Sequence, residues 1–258
     1  MRFLLLIMLF LVCSFSYAQN HTNFSQVDVE LDVGQSLPLS NNVSFDVEVS
    51  DPESLTKALR NWGNVRVNHV GDDSLTVSLT GQPLFLGKFR EQYLANTFVI
   101  DIEENSVKDF VSTFKKGVNE SVTVSGLTKF VNDYISEPTY VNGFNIASVV
   151  ADQRSGDCTE YAVLSTALAR SLGIPSRIVF GSVILEKKAD VVVYGHAWSE
   201  VFIDGQWQIL DAALYESEAI QHFYLPVGEL DNEGPGFSLS MFSLVGRMPI
   251  KISELKSL

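Results

Sequence analysis

DCTEYAVLSTALARSLGIP, residues 157 to 175, reads as one buried helix that carries a thiol in its first turn. Asp157 is a natural N-cap, and Glu160 three residues later completes a capping box with Asp in the place of Ser or Thr. Ala162, Leu164, Ala167, Leu168 and Leu172 recur at helical spacing, Gly173 supplies a C′ residue and Pro175 prevents continuation. Cys158 therefore falls at the first helical position. Unpaired backbone N–H groups and a partial positive charge at that end favour thiolate over thiol. Asp157 beside it opposes ionisation, so a cationic partner is wanted.

A partner emerges from strand register. YGHAWSEVFIDGQWQILDA, residues 194 to 212, holds two strand-like runs joined by Asp204-Gly205, a strong two-residue hairpin signal. That turn sets Ile203 opposite Gln206; carried down the ladder, it sets His196 opposite Ala213 with Asp211 as its diagonal neighbour on the same face. Diagonal neighbours lie about 7–8 Å apart at the backbone, within reach of an imidazole and a carboxylate. Trp198, Phe202, Trp207 and Ile209 share the face and are expected to wall the cysteine helix. Glu200 also shares it, and a buried hydrogen bond to Arg177 is its expected partner. Taken singly, His196 reads as a satisfied histidine and Asp211 as a strand-end cap. Together with Cys158 they compose a thiol nucleophile, a base and an orienting acid.

The chain has only two cysteines, and the other lies in MRFLLLIMLFLVCSFSYA, residues 1 to 18. One Arg, an apolar run and the small residues Ser16 and Ala18 mark a secretory signal cut after Ala18. The run is shorter than the roughly 20 residues of a membrane span, so no stable anchor is expected after cleavage. Lipid attachment at Cys13 is the weaker alternative, because Val12 is bulky where such sites want a small residue. The mature protein is then periplasmic or extracellular with one thiol, which is reactive, paired with another molecule, or buried. Acidic residues number 31 against 18 basic, a formal net charge of −13, which disfavours nucleic acid and anionic membrane as partners. Sequons at Asn20, Asn23, Asn42 and Asn119 suit surface loops. No cluster has metal-ligand spacing, so neither metal nor cofactor is implied.

The hydrophobic period changes along the chain. VDVELDV, VSFDVEV, NVRVNHV and SLTVSLT alternate at period two, and PESLTKALRNWG reads as a short helix closed by Gly63, which together predict a small β-rich N-terminal module over 19–102. SVKDFVSTFKKGV, SGLTKFVNDYIS and NIASVVADQR then carry helical spacing, with Pro138 stopping the second. Residues 103–258 are expected to form a separate catalytic domain that folds alone.

RSGDCTEYAVLSTALARSLGIPSRIVFG followed by YGHAWSEVFIDGQWQILDAALYE resembles the core of the transglutaminase-like superfamily, with its G-x-C, G-I-P-x-R, H-A-W-x-E-V and W-x-x-x-D elements. The resemblance covers about residues 125 to 225. It implies an α+β, papain-like fold with the cysteine helix packed on an antiparallel sheet, which the tail from QHFYLP to SLVGRMPIKI completes. It also implies Cys158 as nucleophile, His196 as base and Asp211 as orienting acid. Members crosslink Gln to Lys, hydrolyse peptides or other amides, or have lost catalysis and serve as scaffolds. The expected partner is thus a protein or cell-wall peptide, taken as substrate by an exported thiol enzyme or as ligand by an inactive peptide-binding relative. The backbone N–H of Cys158 is one oxyanion donor by position. The second donor and the substrate cleft are assigned among Gln153, Tyr140, Asn142 and Trp198.

Overall fold

The structure, a computed structural model, describes residues 26–117, 122–139 and 144–258. The leader with its expected cleavage after Ala18 lies outside the described residues, as do Tyr140, Asn142 and the sequons at Asn20, Asn23 and Asn119. In chain order the elements are β1 (Gln26–Leu31), β2 (Asn42–Glu48), α1 (Pro52–Leu59), β3 (Trp62–Val70), β4 (Ser74–Phe85), α2 (Asn105–Gly117), α3 (Val124–Tyr134), β5 (Glu137–Pro138), α4 (Ala147–Gln153), β6 (Ser155–Gly156), α5 (Cys158–Ser171), β7 (Ser176–Glu186), β8 (Val191–Ile203), β9 (Gln206–Leu210), β10 (Gln221–Glu229), α6 (Phe237–Val245) and β11 (Lys251–Ser257). The fold is α+β, with helices packed on a curled, mainly antiparallel sheet.

α1, α3 and α5 form where apolar spacing and a side-chain cap coincide. Asp51 caps α1 by accepting from Ser54 N, and Thr123 caps α3 by accepting from Gly126 N. α1 stops at Leu59, ahead of the expected Gly63, because Gly63 is already paired to Leu84 in the β3–β4 ladder. Gly173, at φ 77°, closes α5 as its place after the last apolar residue requires.

Nine strands make one sheet in the order β10-β7-β8-β1-β11-β2-β4-β3, with β9 paired to β8. The C-terminal strand β11 lies between β1, parallel to it, and β2, antiparallel. Residues 26–85 therefore do not stand apart from residues 103–258, contrary to the two-domain expectation. Strand pairing crosses the 102/103 position at β1–β8, β1–β11 and β2–β11. One apolar core likewise joins Phe45, Val47 and Val77 to Leu164, Ile178 and Leu255. The period change marks where helices begin to cover the sheet, not where one core ends.

The two faces of β7 and β8 have different cover. Ala197, Ser199 and Val201 face α5, where Ser199 Oγ donates to Ala162 O at 2.7 Å and meets Thr166 Oγ1 at 2.9 Å. Trp198 and Trp207 point the other way, onto Trp62, Phe85 and Tyr93. The expected packing of this tryptophan wall on the cysteine helix is thus corrected: the N-terminal strands supply its cover. Arg177 sits within it, its guanidinium 3.1 Å from the centre of the Phe85 ring and 5.3 Å from those of Trp62 and Trp207. Glu200 pairs with Arg177, as expected, and accepts from Trp62 Nε1 at 3.0 Å; Glu229 binds the other side of Arg177 at 3.0 Å. A buried cation offset by two carboxylates and several rings is tolerable only while every partner is present.

Candidate active site

The hairpin holds the expected register. Ile203 pairs with Gln206 and the ladder runs unbroken to Ser199 opposite Leu210. Asp204 and Gly205 have φ of 54° and 80°, the left-handed pair that a tight hairpin turn with the sheet's twist requires. Beyond Leu210 the chain leaves β8. β1 joins the same edge only at Val193 and Tyr194, so among the described residues no strand covers that edge over 195–198. His196 occupies this gap.

Asp211 comes back to it directly. His196 Nε2 and Asp211 Oδ2 are 2.7 Å apart, and both side chains are almost wholly buried. The backbone N–H of Leu214 donates to Asp211 Oδ1 at 3.3 Å, and Asn132 Nδ2 of α3 holds the next carbonyl, Ala212 O, at 2.9 Å. Tyr224 on β10 donates its hydroxyl to Asp211 Oδ2 at 2.8 Å. Burial and the adjacent carboxylate push the Tyr224 phenol far up, which keeps it a donor.

The other ring nitrogen of His196, Nδ1, is left free of that bond, and the thiol of Cys158 lies near enough to the imidazole to contribute to its electrostatics. Cys158 is free and half-buried. It is the first residue of α5, whose cap is complete: Asp157 accepts from Thr159 N at 3.0 Å and Glu160 Oε2 accepts from Asp157 N at 3.0 Å. Trp198, 1% exposed, stacks on His196 at 6.1 Å and 23°, so it backs the imidazole instead of lining an accessible cleft. Gln153 is exposed at the last residue of α4 and is not part of the group. Tyr224 was not foreseen from sequence, since only the order of strands brings β10 beside β7.

Electrostatics bind the pair. Burial alone would lower the His196 pKa, but the charge and hydrogen bond of Asp211, with a further contribution from Cys158, raise it from 6.5 to about 10. Burial would raise Asp211, but the imidazolium and the bonds from His196, Tyr224 and Leu214 hold it below 3.8. The raised histidine contributes stability in full below 6.5 and loses it as pH climbs toward about 10. The depressed aspartate contributes above 3.8 and loses it as pH falls further. Urea unfolding should therefore show the largest difference between wild type and Asp211→Asn from pH 3.8 to 6.5, shrinking toward pH 10. A difference that grows with alkaline pH would contradict the ion pair.

Compared with known families, residues 98–212 match the transglutaminase-like superfamily. Over that stretch the chain is similar to this superfamily. The matched stretch takes in α2 through β9 and ends just past Asp211, so it contains Cys158, His196 and Asp211. Among solved structures the chain is similar to a candidate cysteine protease from Cytophaga hutchinsonii, with 16% identity over 74% of this chain and 77% of that one, and a TM-score of 0.45. It is also similar to the periplasmic domain of TgpA from Pseudomonas aeruginosa, bound to ethylmercury, with 15% identity over 75% of this chain and 84% of that one, and a TM-score of 0.44. No curated protein matches the chain. Among the described residues no helix is long and apolar enough to cross a membrane, and no group of His, Cys, Asp and Glu could hold a metal ion.

Proposed function

We propose that the protein is an exported thiol enzyme that acts on amide bonds through an acyl thioester on Cys158. The observation that carries this reading is the single arrangement of a half-buried thiol at a capped helix N-terminus, an imidazole whose electrostatics that thiol affects, and a carboxylate 2.7 Å from Nε2 of that ring. The positive helix end and an imidazolium both favour the thiolate, which is the nucleophile. Thiolate sulfur attacks the amide carbonyl carbon; as the C–N bond breaks, the imidazolium of His196 gives its proton to the leaving amine and the thioester remains. Water or a second amine, deprotonated by the now neutral imidazole, then attacks that carbon, and the C–S bond breaks to restore the thiolate. Asp211 holds the ring in one orientation and stabilises its charged form throughout. The leader at 1–18 supports export, and the acidic surface suits a protein or cell-wall peptide substrate better than nucleic acid.

Alkylation by iodoacetamide tests the reading without a known substrate. Cys158 should be alkylated much faster than free glutathione under the same conditions. His196→Ala should remove most of that advantage. A Cys158 no faster than glutathione, with or without His196, would favour an inactive relative that binds peptides.

A further inference from the structure

Glu160 has no part in the steps above, yet its side chain is fully buried two residues past Cys158. Oxygen Oε2 accepts from Asp157 N at 3.0 Å and from the Thr159 hydroxyl at 3.0 Å, which completes the helix cap. Oxygen Oε1 is committed elsewhere: it accepts from the backbone N–H of Asn145 at 3.0 Å and from Asn145 Nδ2 at 3.4 Å. A cap needs only the first pair. Burial, with the charge of the neighbouring Asp157, holds the carboxyl above its usual range, and the two backbone N–H groups on either side of it pull it only part of the way back.

The neighbouring backbone is shaped to admit this side chain. A Cβ at Gly156 would lie 2.2 Å from Glu160 Cβ and 2.4 Å from its Cγ, so only glycine fits. The carbonyl of Gly156 accepts from Thr139 N at 2.9 Å. Thr139 and Asn145 are thus both tied to the turn that carries the thiol, one through Gly156 and the other through Glu160. Phe144, next to Asn145, packs against Phe180 at 6.2 Å and Phe237 at 4.8 Å, which backs the segment with a row of rings.

We propose that Glu160 is a positioning residue of this site, whose carboxylate fixes the 144–146 segment against the turn that carries Cys158 and so sets where a substrate passes the thiol. The proposal rests on the thiol-enzyme reading. Glu160→Gln keeps the size but replaces one acceptor by a donor. In this variant iodoacetamide alkylation of Cys158 should be unchanged, hydrogen exchange in peptides spanning 144–150 should accelerate, and turnover of dimethylcasein should fall by about 10²-fold, the effect of a small misplacement. Glu160→Asp, whose shorter arm reaches Asp157 but not Asn145, should give the same split with the cap retained. Unchanged exchange at 144–150 overturns the proposal, as does a parallel loss of alkylation and turnover in both variants, which would leave Glu160 a helix cap alone. Should Cys158→Ala still turn over dimethylcasein, the thiol-enzyme reading fails; exchange at 144–150 then still decides whether Glu160 anchors the segment.

Discussion

Asp211→Asn is expected to lower amide turnover by about 10⁴-fold, the size seen when the same change is made in a serine-protease triad, while the fold survives. The reason lies in who donates to whom. Oδ2 of Asp211 accepts from His196 Nε2 and from the Tyr224 hydroxyl, while Oδ1 accepts from Leu214 N. An asparagine that keeps its oxygen toward His196 and Tyr224 turns its amide N–H groups onto the Leu214 N–H. Flipped, it offers a donor to Nε2, which must then accept, and the imidazole proton moves to the nitrogen facing the thiol. Either way the charge that lifts His196 toward about 10 is gone. Cys158→Ala should leave no turnover at all, because it removes the proposed nucleophile. Kinetics on dimethylcasein, with circular dichroism to confirm folding, make the comparison; an Asp211→Asn enzyme within a few-fold of wild type would remove the aspartate from the mechanism.

What could be read from sequence was what is encoded locally. The capping box, the apolar spacing and the Gly173 stop of α5 are all contained within the stretch from Asp157 to Pro175, and the Asp204-Gly205 turn fixes its own register through a period of two. Those two elements already bring His196 near Asp211 and place Cys158 at a helix start. Period two says which residues share a face but not what covers it. The tryptophan face was therefore assigned to the wrong neighbour, since only the global sheet order brings Trp62 and Phe85 onto Trp198 and Trp207. Tyr224 was missed for the same reason: its contact with Asp211 depends on β10 pairing with β7. The insertion of β11 between β1 and β2 joins residues more than two hundred positions apart, and no short-range pattern carries that information.

That insertion governs the second large effect. A chain beginning at residue 103 is expected not to fold, although its helices and hairpin carry their own apolar faces. Removing the earlier residues takes both neighbours from β11 and leaves Leu255 and Ile252, fully buried in the whole protein, on an unpaired strand. It also strips Trp62, Phe85 and Tyr93 from the face formed by Val179, Trp198 and Trp207. Each large apolar side chain so exposed costs about 1.5–3 kcal/mol, and a domain has only about 5–15 kcal/mol in total. The ion pair adds to the loss: without Trp62 N–H, one Glu200 oxygen lacks its donor, and Arg177 loses the Phe85 ring that covers it. Breaking part of a buried ionic group costs more than the group contributes when whole. Supplying residues 26–102 as a separate chain could restore the fold only by restoring the β1–β8, β1–β11 and β2–β11 ladders together. Urea unfolding of the fragment should show no cooperative transition; a sharp one near the wild-type midpoint would mean that residues 103–258 hold a sufficient core and that β1 to β4 are an addition to it.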